Sequence, residues 1–400
     1  MFILGKLMKK ILIIGGGKWQ VPVIQKTKYL GHYSICSNLY KDSIGFEYAD
    51  KSYVENVLDR EKNLQIAIDE KIDAVITDQS DIAVNTVAYI SEKLDLNGVG
   101  MDVANLYTNK SRMRKELIIA NLFHPKYKKC KTIDEAISFF VTLDSDAIIK
   151  PLSNQSSRGV YKITSINELK ERFNYTMEYS VDNTILVEEF IGGFELTVEG
   201  FKTNKKHYTL AISKKEHYKN LPNVAKSLIY QTKFEEFNQK EIEKINNKLF
   251  EKLAFGITHV EYKYWNNKFY LIEAAIRGGG TKISSHIIPT VSGVDVNELL
   301  IKSALGETNL SVDLNKNKNC AVLRFFDFEI GKVKKINGID FLKDNPNIID
   351  FDFEFQVGDI INSPNDDRSR IGYFIAYHKK EKDLQKLIKE VDEKVYLEYE

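Results

Sequence analysis

Two glutamates in one predicted β-hairpin have a type and spacing suited to holding a divalent cation. The segment ITHVEYKYWNNKFYLIEAA reads as two strands around an Asn-Asn turn, with Glu261 on the first strand and Glu273 on the second. A two-residue turn would send the carboxylates to opposite faces of the sheet, whereas a turn centred on Asn267 would place them across from each other. Facing carboxylates repel unless a cation lies between them. The hairpin therefore predicts either two solvated glutamates or a site for a hard cation such as Mg²⁺.

An arginine and three glycines directly follow the second glutamate. Arg277 stands in the run AAIRGGG, residues 274–280. A guanidinium can bind phosphate or carboxylate through two parallel hydrogen bonds, and glycines let a ligand approach the backbone closely. The run therefore predicts an anion site beside the hairpin, with a surface ion pair as the alternative role for Arg277.

The predicted elements place these groups in the middle of a chain of two or three domains. The sequence has 400 residues, enough for several hydrophobic cores. Residues 9–100 alternate apolar strands with amphipathic helices, which indicates a parallel sheet. Gly15, Gly16 and Gly17 lie where the first strand turns into the first helix, a position that can cradle a phosphate or simply permit tight packing. The middle of the chain is rich in strands, and the last part reads as a small α+β unit.

Composition excludes several partners. The 57 basic and 56 acidic residues give a formal net charge of +1, so nothing favours nucleic acid or an anionic membrane. No apolar run approaches the roughly 20 residues needed to span a bilayer, and we predict a cytoplasmic protein. The three cysteines are far apart and lack CxxC spacing, which argues against a disulfide framework and a zinc site.

The order of these pieces resembles the ATP-grasp superfamily of carboxylate–amine ligases, over most of the chain. The opening GGGKWQVPVIQKTKYLG is similar to those of amino-acid ligases and of phosphoribosylaminoimidazole carboxylase ATP-binding subunits. The resemblance implies an α/β plus α+β fold. It comprises a Rossmann-like pre-ATP-grasp domain at residues 1–105, a two-part ATP-grasp domain at 106–310, and a small C-terminal α+β domain at 311–400 similar to that of biotin carboxylase.

The resemblance also implies a nucleotide site. Three lysines match the phosphate-binding lysines of the family: Lys110 in TNKSRMR, Lys150 at the strand end in IIKPLSNQSSRGV, and Lys215 in ISKKEHY. Lys214 is an open alternative to Lys215. Ser156, Ser157 and Gly159 belong to the loop that would close over the phosphates.

The strand TILVEEFIGGFE resembles the adenine clasp of the family. Glu188, Glu189 and Ile191 match its end, so the backbone of Glu189 and Ile191 would pair with the adenine edge. Glu195 would hold the ribose hydroxyls.

The two hairpin glutamates match the metal acids of the family. Glu261 and Glu273 would bind Mg²⁺ or Mn²⁺. Ala275 stands where the common pattern has an asparagine that also contacts metal, and this departure leaves the number of metal ions open.

These matches imply an ADP-forming ligase. ATP would phosphorylate a carboxylate, an amine would then displace phosphate from the acyl phosphate, and Lys150, Lys215 and Arg277 would be the catalytic residues. We predict small-molecule carboxylate and amine substrates, no nucleic acid and no membrane, and leave a homodimer open. Three alternatives stay open: bicarbonate activation as in carboxylases, a nucleotide-binding regulatory protein without turnover, and an oxidoreductase that uses the amino-terminal glycine turn.

Overall fold

The computed structural model describes residues 7–152, 159–219, 221–314, 317–362, 366 and 369–400. No helix within these ranges is long and apolar enough to cross a membrane. Helices and strands are mixed along the whole chain, and the predicted α/β plus α+β fold class is confirmed.

The first part of the chain forms a parallel sheet with both faces covered. Its elements are β1 (Lys10–Ile14), α1 (Val21–Tyr29), β2 (Tyr33–Asn38), α2 (Gly45–Tyr48), β3 (Lys51–Val54), α3 (Arg60–Glu70), β4 (Ala74–Ile76) and α4 (Asp81–Lys93). The strands lie in the order β3-β2-β1-β4 with parallel neighbours. Ile11 and Ile13 pack into one core while Leu12 and Ile14 pack into another. Burial of successive residues on opposite faces explains the uninterrupted apolar run in the sequence.

Two helices and a small antiparallel sheet follow. The elements are α5 (Met101–Thr108), α6 (Lys110–Ile119), β5 (Tyr127–Cys130), α7 (Ile133–Phe140), β6 (Ala147–Pro151), β7 (Tyr161–Ile163), α8 (Ile166–Glu178) and β8 (Ile185–Glu189). The strand order is β5-β8-β6-β7. Thr132 and Ser165 cap α7 and α8, each accepting a hydrogen bond from the backbone of a glutamate in the first turn. Lys150 and Glu188 lie on the adjacent strands β6 and β8.

A second antiparallel sheet forms the rest of the middle part. The elements are β9 (Phe194–Lys202), β10 (His207–Tyr218), β11 (Leu221–Tyr230), α9 (Gln239–Leu249), β12 (Gly256–Trp265), β13 (Lys268–Ala275), a π-helical turn (Ile283–Ile287), α10 (Ile288–Ser292) and α11 (Val296–Ala304). Strands β13, β12, β9, β10 and β11 lie side by side in that order. They carry the predicted metal hairpin and Lys215.

The tail continues the same sheet. Its elements are β14 (Cys320–Phe325), β15 (Gly331–Asn337), α12 (Ile339–Asp344), β16 (Ile348–Phe353), β17 (Ile360–Ile361), β18 (Gly372–His378), α13 (Glu381–Lys394) and β19 (Tyr396–Tyr399). Strand β14 pairs with β11, so the sheet runs on as β11-β14-β18-β16, while β17-β15-β19 form a separate small sheet. One continuous sheet thus contains strands from both sides of the predicted domain boundary between residues 310 and 311. That boundary stays a prediction.

Candidate active site

The predicted site residues converge on one cleft of about 1020 Å³. Side chains from the parallel sheet, the small antiparallel sheet and the eight-stranded sheet all line it. The lining includes Lys110, Lys150, Glu188, Glu189, Ile191, Glu195, Lys215, Glu261, Glu273 and Arg277. Ser156 and Ser157 lie outside the described residues. Gly159 is described and has a φ of +69°, and a side chain there would come within 2.8 Å of Tyr179.

The glutamate hairpin combines a two-residue turn with a β-bulge. Asn266 and Asn267 form the turn, with φ values of 47° and 58°, as in a tight hairpin. That turn alone would put Glu261 and Glu273 on opposite faces. A bulge beside Glu261 shifts the register by one residue, so Glu261 pairs directly with Glu273. The two carboxylates therefore share the face that lines the cleft.

Lys215 lies between two carboxylates of the cleft. Its Nζ is 2.6 Å from Glu195 Oε1 and 2.9 Å from Glu261 Oε1. Burial opposes ionisation of Glu195, but Lys215 together with Lys263 and His217 lowers the pKa of Glu195. The neighbouring Lys214 forms an ion pair with Glu236 instead. Of the two lysines that the sequence left open, Lys215 is therefore the one that lines the cleft.

The start of α6 presents Lys110 to the second hairpin glutamate. Asn109 caps this helix, because its side chain accepts hydrogen bonds from two backbone N–H groups of the first turn. Lys110 is the first helical residue, and its Nζ is 3.5 Å from Glu273 Oε1. The cap thus fixes the lysine that the family resemblance assigns to phosphate.

A buried arginine that we did not single out in the sequence joins three elements of the site. Arg114, on α6, is fully buried and donates from Nε to Glu188 Oε1 at 2.8 Å. Its other nitrogens donate to the carbonyls of Leu271 and Ile272 on β13, at 3.0 and 2.7 Å. Glu188 Oε2 is 2.5 Å from Lys150 Nζ. Arg114 therefore ties the strand of Glu188 to the metal hairpin, and Glu188 holds Lys150 in place.

The ion pairs of Glu188 predict a pH dependence of stability. Burial alone would raise its pKa, but Arg114 and Lys150 lower the pKa from 4.5 to about 2. The stabilisation is therefore complete above pH 4.5 and is lost as the pH falls towards 2, by about 3 kcal/mol in total. Between pH 5 and 3 we expect the thermal midpoint of the wild type to fall more steeply than that of Glu188→Gln, which has no proton to gain. Parallel slopes of the two proteins would contradict this ion-pair arrangement.

The end of β8 offers a backbone donor to the cleft. The N–H groups of Glu189 and Phe190 donate to the carbonyls of Lys126 and Asp146, both at 2.8 Å. Among the described residues, the Ile191 N–H has no acceptor, although Ile191 is 7% exposed and lines the cleft. A buried N–H needs a partner, and a ligand edge with a hydrogen-bond acceptor can supply one.

Arg277 is held by a carboxylate from the first sheet. Its Nε and NH2 lie 2.7 and 3.0 Å from the two oxygens of Asp81, the first residue of α4, and NH1 donates to the carbonyl of Gly278 at 2.9 Å. Burial would raise the pKa of Asp81, but Arg277 lowers it. This pairing orients the guanidinium and leaves it with further N–H donors.

A second aspartate at the same sheet end holds the glycine loop. Asp78 is fully buried and accepts from the Gly278 N–H at 3.1 Å and from the Ser284 hydroxyl at 2.5 Å. The Lys282 N–H donates to the side chain of Gln79 at 2.9 Å. The signal available in the sequence is Asp78 at the carboxyl end of the strand in DAVITD, with Asp81 three residues further on, because ligand sites of parallel sheets lie at that end.

A buried histidine connects Glu261 to a deeper carboxylate. His259 Nδ1 is 2.9 Å from Glu199 Oε1, and Nε2 is 3.7 Å from Glu261 Oε1. Glu199 is fully buried and also accepts from the Tyr230 hydroxyl at 3.2 Å. Burial opposes a charged imidazole, but Glu199 outweighs it and raises the pKa of His259 to about 9. The imidazole of His259 therefore places a positive charge beside Glu261, the first of the two predicted metal-binding glutamates.

The donor set fits a nucleotide-bound divalent cation. Glu261 and Glu273 offer only oxygens, the ligands that Mg²⁺ prefers, and such ions usually take one or two carboxylates from protein and the rest from phosphate and water. Within the described residues, no group of three or more His, Cys, Asp or Glu side chains is placed to hold a metal. Ala275 adds no oxygen ligand from its side chain. A cation here would thus need the phosphates to complete its coordination.

The amino-terminal glycine turn is closed by a protein side chain. Gln20 Oε1 accepts from the Gly17 N–H at 3.0 Å, and Gln20 Nε2 donates to the Asp78 carbonyl at 2.7 Å. Lys18 and Trp19, just beyond the turn, line the cleft. The turn thus supports packing around the cleft, which is one of the two roles predicted for it.

Comparison with known proteins assigns two segments to families. Residues 143–285 match the ATP-grasp domain, and residues 324–400 match the L-amino acid ligase C-terminal domain 2. The chain is 25% identical over 309 residues to alanine–anticapsin ligase of Bacillus subtilis (strain 168), which covers 71% of this chain and 64% of that protein. The chain thus spans less than two thirds of the length of that relative.

Two solved structures have the same fold. The L-amino acid ligase of Bacillus licheniformis superposes with a TM-score of 0.84 and 19% identity, covering 99% of this chain and 100% of that one. The biotin carboxylase domain of the Hydrogenobacter thermophilus 2-oxoglutarate carboxylase was solved with MgADP, ADP and bicarbonate. It superposes with a TM-score of 0.77 and 16% identity, covering 98% of this chain and 91% of that one. The predicted resemblance to the ATP-grasp superfamily is confirmed over residues 143–285, which match its domain model, and residues 324–400 match the C-terminal domain of L-amino acid ligases.

Proposed function

We propose that this chain uses Mg·ATP to convert a carboxylate into an acyl phosphate, which an amine then attacks. The observation that carries the proposal is the bulge that pairs Glu261 with Glu273 in a cleft shared with Lys110, Lys150 and Lys215. Phosphates bring more negative charge than one cation can offset, so several lysines and a carboxylate-bound metal are needed together.

The reaction has two balanced steps. A carboxylate oxygen attacks the γ-phosphorus, and the bond to the β–γ bridging oxygen breaks to release ADP. The amine nitrogen then attacks the acyl carbon, the bond from that carbon to the phosphate oxygen breaks, and the nitrogen loses a proton. The released phosphate keeps one oxygen of the original carboxylate. The free energy of ATP thus replaces a poor leaving group with a good one.

Each charged group has a part in this proposal. When bound, the divalent cation would be held by Glu261 and Glu273 and would supply positive charge to the phosphate oxygens. Lys150 and Lys215 offset charge on the transferred phosphoryl group, and Lys110 contacts the nucleotide phosphates. Arg277, oriented by Asp81, holds the acyl phosphate. Phosphate and metal would then take over the contacts that the lysines now make with the carboxylates.

The nucleoside end of ATP lies at β8 in the proposal. The Ile191 N–H, without an acceptor among the described residues, and the Glu189 carbonyl pair with the adenine edge. Glu195, kept ionised beside Lys215, accepts from the ribose hydroxyls. Glu188 acts by holding Lys150 and not by touching the nucleotide. The loop that contains Ser156, Ser157 and Gly159 covers the phosphates.

We propose that both substrates are amino acids. The name alanine–anticapsin ligase contains an amino acid, L-amino acid ligase is named for such substrates, and the tail of this chain matches L-amino acid ligase C-terminal domain 2. Activation of bicarbonate, the predicted alternative, is not favoured by these relatives, and the assay below includes it as an outcome. Sedimentation analysis can measure whether the chain forms a homodimer.

Release of ADP from Mg·ATP tests the proposal. Purified protein is supplied with single amino acids, with pairs of amino acids, and with bicarbonate alone. We expect release that requires an amino acid and increases with a second one. Release with bicarbonate alone would support the carboxylase alternative, and no release in any arm would contradict turnover.

Replacing Lys150 tests the nucleotide site. Lys150→Ala removes one charged hydrogen bond to phosphate, so the Kd for ATP should rise about tenfold or more. Isothermal titration with Mg·ATP measures this. Lys128→Ala, an exposed lysine on β5 of the same sheet, should leave the Kd unchanged. Equal Kd values for both variants would move the phosphate contact to Lys110 or Lys215.

A further inference from the structure

The floor of the cleft changes from charged to apolar across the eight-stranded sheet. One row of paired residues runs from Lys263 through Glu195 and Lys215, on β12, β9 and β10, to Leu228 and Leu323 on β11 and β14. All five side chains line the cleft. Neighbouring strands are about 4.8 Å apart, so Leu323 lies roughly 10 Å from Lys215. The cleft thus has a phosphate half and a separate apolar half.

Aromatic rings complete the apolar half, which we call the apolar chamber. Its walls are Trp19, Tyr218, Ala225, Leu228, Ile283, Leu323, Phe325 and Tyr373. Phe325 pairs with Tyr373, and Trp19 packs edge-on against Tyr373 with ring centroids 5.7 Å apart. Phe325 and Tyr373 are 4% and 2% exposed. These rings are held by their neighbours, so the chamber has a fixed shape for an apolar group.

One arginine stands at the apolar chamber. Arg370 also lines the cleft, and its guanidinium lies 3.6 Å from the centre of the Phe325 ring. Among the described residues at the chamber, Lys18 is a further cation, and it forms ion pairs with Asp352 and Glu354. A guanidinium matches a carboxylate through two parallel hydrogen bonds. The chamber therefore combines an apolar wall with a carboxylate-binding group.

We infer that the apolar chamber binds the amine substrate, and that this substrate is an amino acid with a large apolar side chain. The side chain would pack on Leu228, Leu323 and Phe325, and the free carboxylate would bind Arg370. The amine would then face the phosphate half, where the acyl phosphate forms. This inference rests on the proposed function, because it concerns the second substrate of that reaction.

Pairwise synthesis tests the inference in the wild-type protein. Ala, Leu, Phe, Asp and Lys are supplied in all pairs with Mg·ATP, and the products are sequenced by mass spectrometry, since the amine substrate becomes the carboxyl-terminal residue. We expect Leu or Phe at that position, with kcat/KM at least about tenfold above Ala and further above Asp. Dipeptides that end in Ala, Asp or Lys at equal rates would overturn the inference while leaving the ligase intact. No product and no ADP with any pair would contradict the proposed function itself.

Two variants test which residues of the apolar chamber bind the side chain and the carboxylate of the amine substrate. Phe325→Ala should reduce the Phe-to-Ala preference about tenfold or more, whereas Phe351→Ala, which packs in the core on the other face of the same sheet, should keep it. In wild type, 2-phenylethylamine, which lacks the carboxylate, should react at least tenfold less well than Phe. Arg370→Met should remove that difference by slowing Phe alone. An unchanged Phe-to-phenylethylamine ratio in Arg370→Met would overturn the assignment of the carboxylate to Arg370.

Discussion

Replacing Glu273 by glutamine should reduce Mg·ATP-dependent ADP release by on the order of 10²–10³-fold. Glutamine keeps the size of the side chain but removes the negative charge that a cation needs. Glu273 is the better of the two metal acids to test. Among the described residues, Glu273 forms an ion pair with Lys110 at 3.5 Å, whereas Glu261 contacts both Lys215 and His259.

The measurement is steady-state ADP release at several Mg²⁺ concentrations, with the thermal midpoint as a check on folding. The Glu273 side chain is 33% exposed, so the midpoint should change little. Glu251→Gln, an exposed glutamate before β12, is the matched control and should keep full activity. Wild-type rates in Glu273→Gln would refute the metal assignment.

Replacing Arg114 by leucine should cost about 3–5 kcal/mol of folding free energy. The substitution leaves Lys150 as the ion-pair partner of Glu188 among the described residues and removes the donors to two carbonyls of β13. Because Arg114 is fully buried, water cannot replace these bonds without repacking. Differential scanning calorimetry should show a midpoint lowered by about 5 °C.

Arg112 provides the control for this substitution. It lies on the same helix, but its side chain is exposed, so Arg112→Leu should shift the midpoint by little. The nucleotide affinity of Arg114→Leu should also fall, because Arg114 no longer holds Glu188 in the position where it contacts Lys150. A midpoint equal to that of Arg112→Leu would show that the buried network does not stabilise the fold.

Local patterns were enough to predict several strands, and the family resemblance predicted most of the candidate site. Apolar runs and turn residues predicted β1, β4, β8 and the hairpin of β12 and β13, because period and turn chemistry act over a few residues. The resemblance then predicted which side chains would meet, and the cleft contains those that the structure describes outside the phosphate loop. Their roles stay predictions that the variants above test.

Long-range pairings could not be read from the sequence. The bulge beside Glu261 leaves no local pattern, so the sequence offered two registers and the structure combines the turn of one with the facing carboxylates of the other. Arg114 follows Lys110 by four positions on one helix, the spacing that places side chains on a shared face. Its burial nevertheless depends on β13, more than 150 residues away. The pairing of Asp81 with Arg277 depends likewise on contact between separate sheets.

The tail shows the same limit. Its short strands were predicted as a small α+β unit, a division that stays a prediction, and the sequence did not show that β14 pairs with β11 of the central part. Antiparallel pairing between strands far apart in sequence depends on which edges the folded chain leaves open. This continuity matters for function in our proposal, because it brings Phe325 and Tyr373 into the cleft floor.

Oxygen transfer from the substrate carboxylate tests the central claim most directly. An amino acid that supports ADP release is labelled with ¹⁸O in its carboxylate and supplied with Mg·ATP and an amine substrate. Because the carboxylate oxygen attacks the γ-phosphorus, the account predicts one ¹⁸O atom in each phosphate released, together with ADP. Unlabelled phosphate would show that water attacks ATP. Release of AMP that carries the ¹⁸O label would show an adenylate intermediate. Either result would contradict an acyl phosphate.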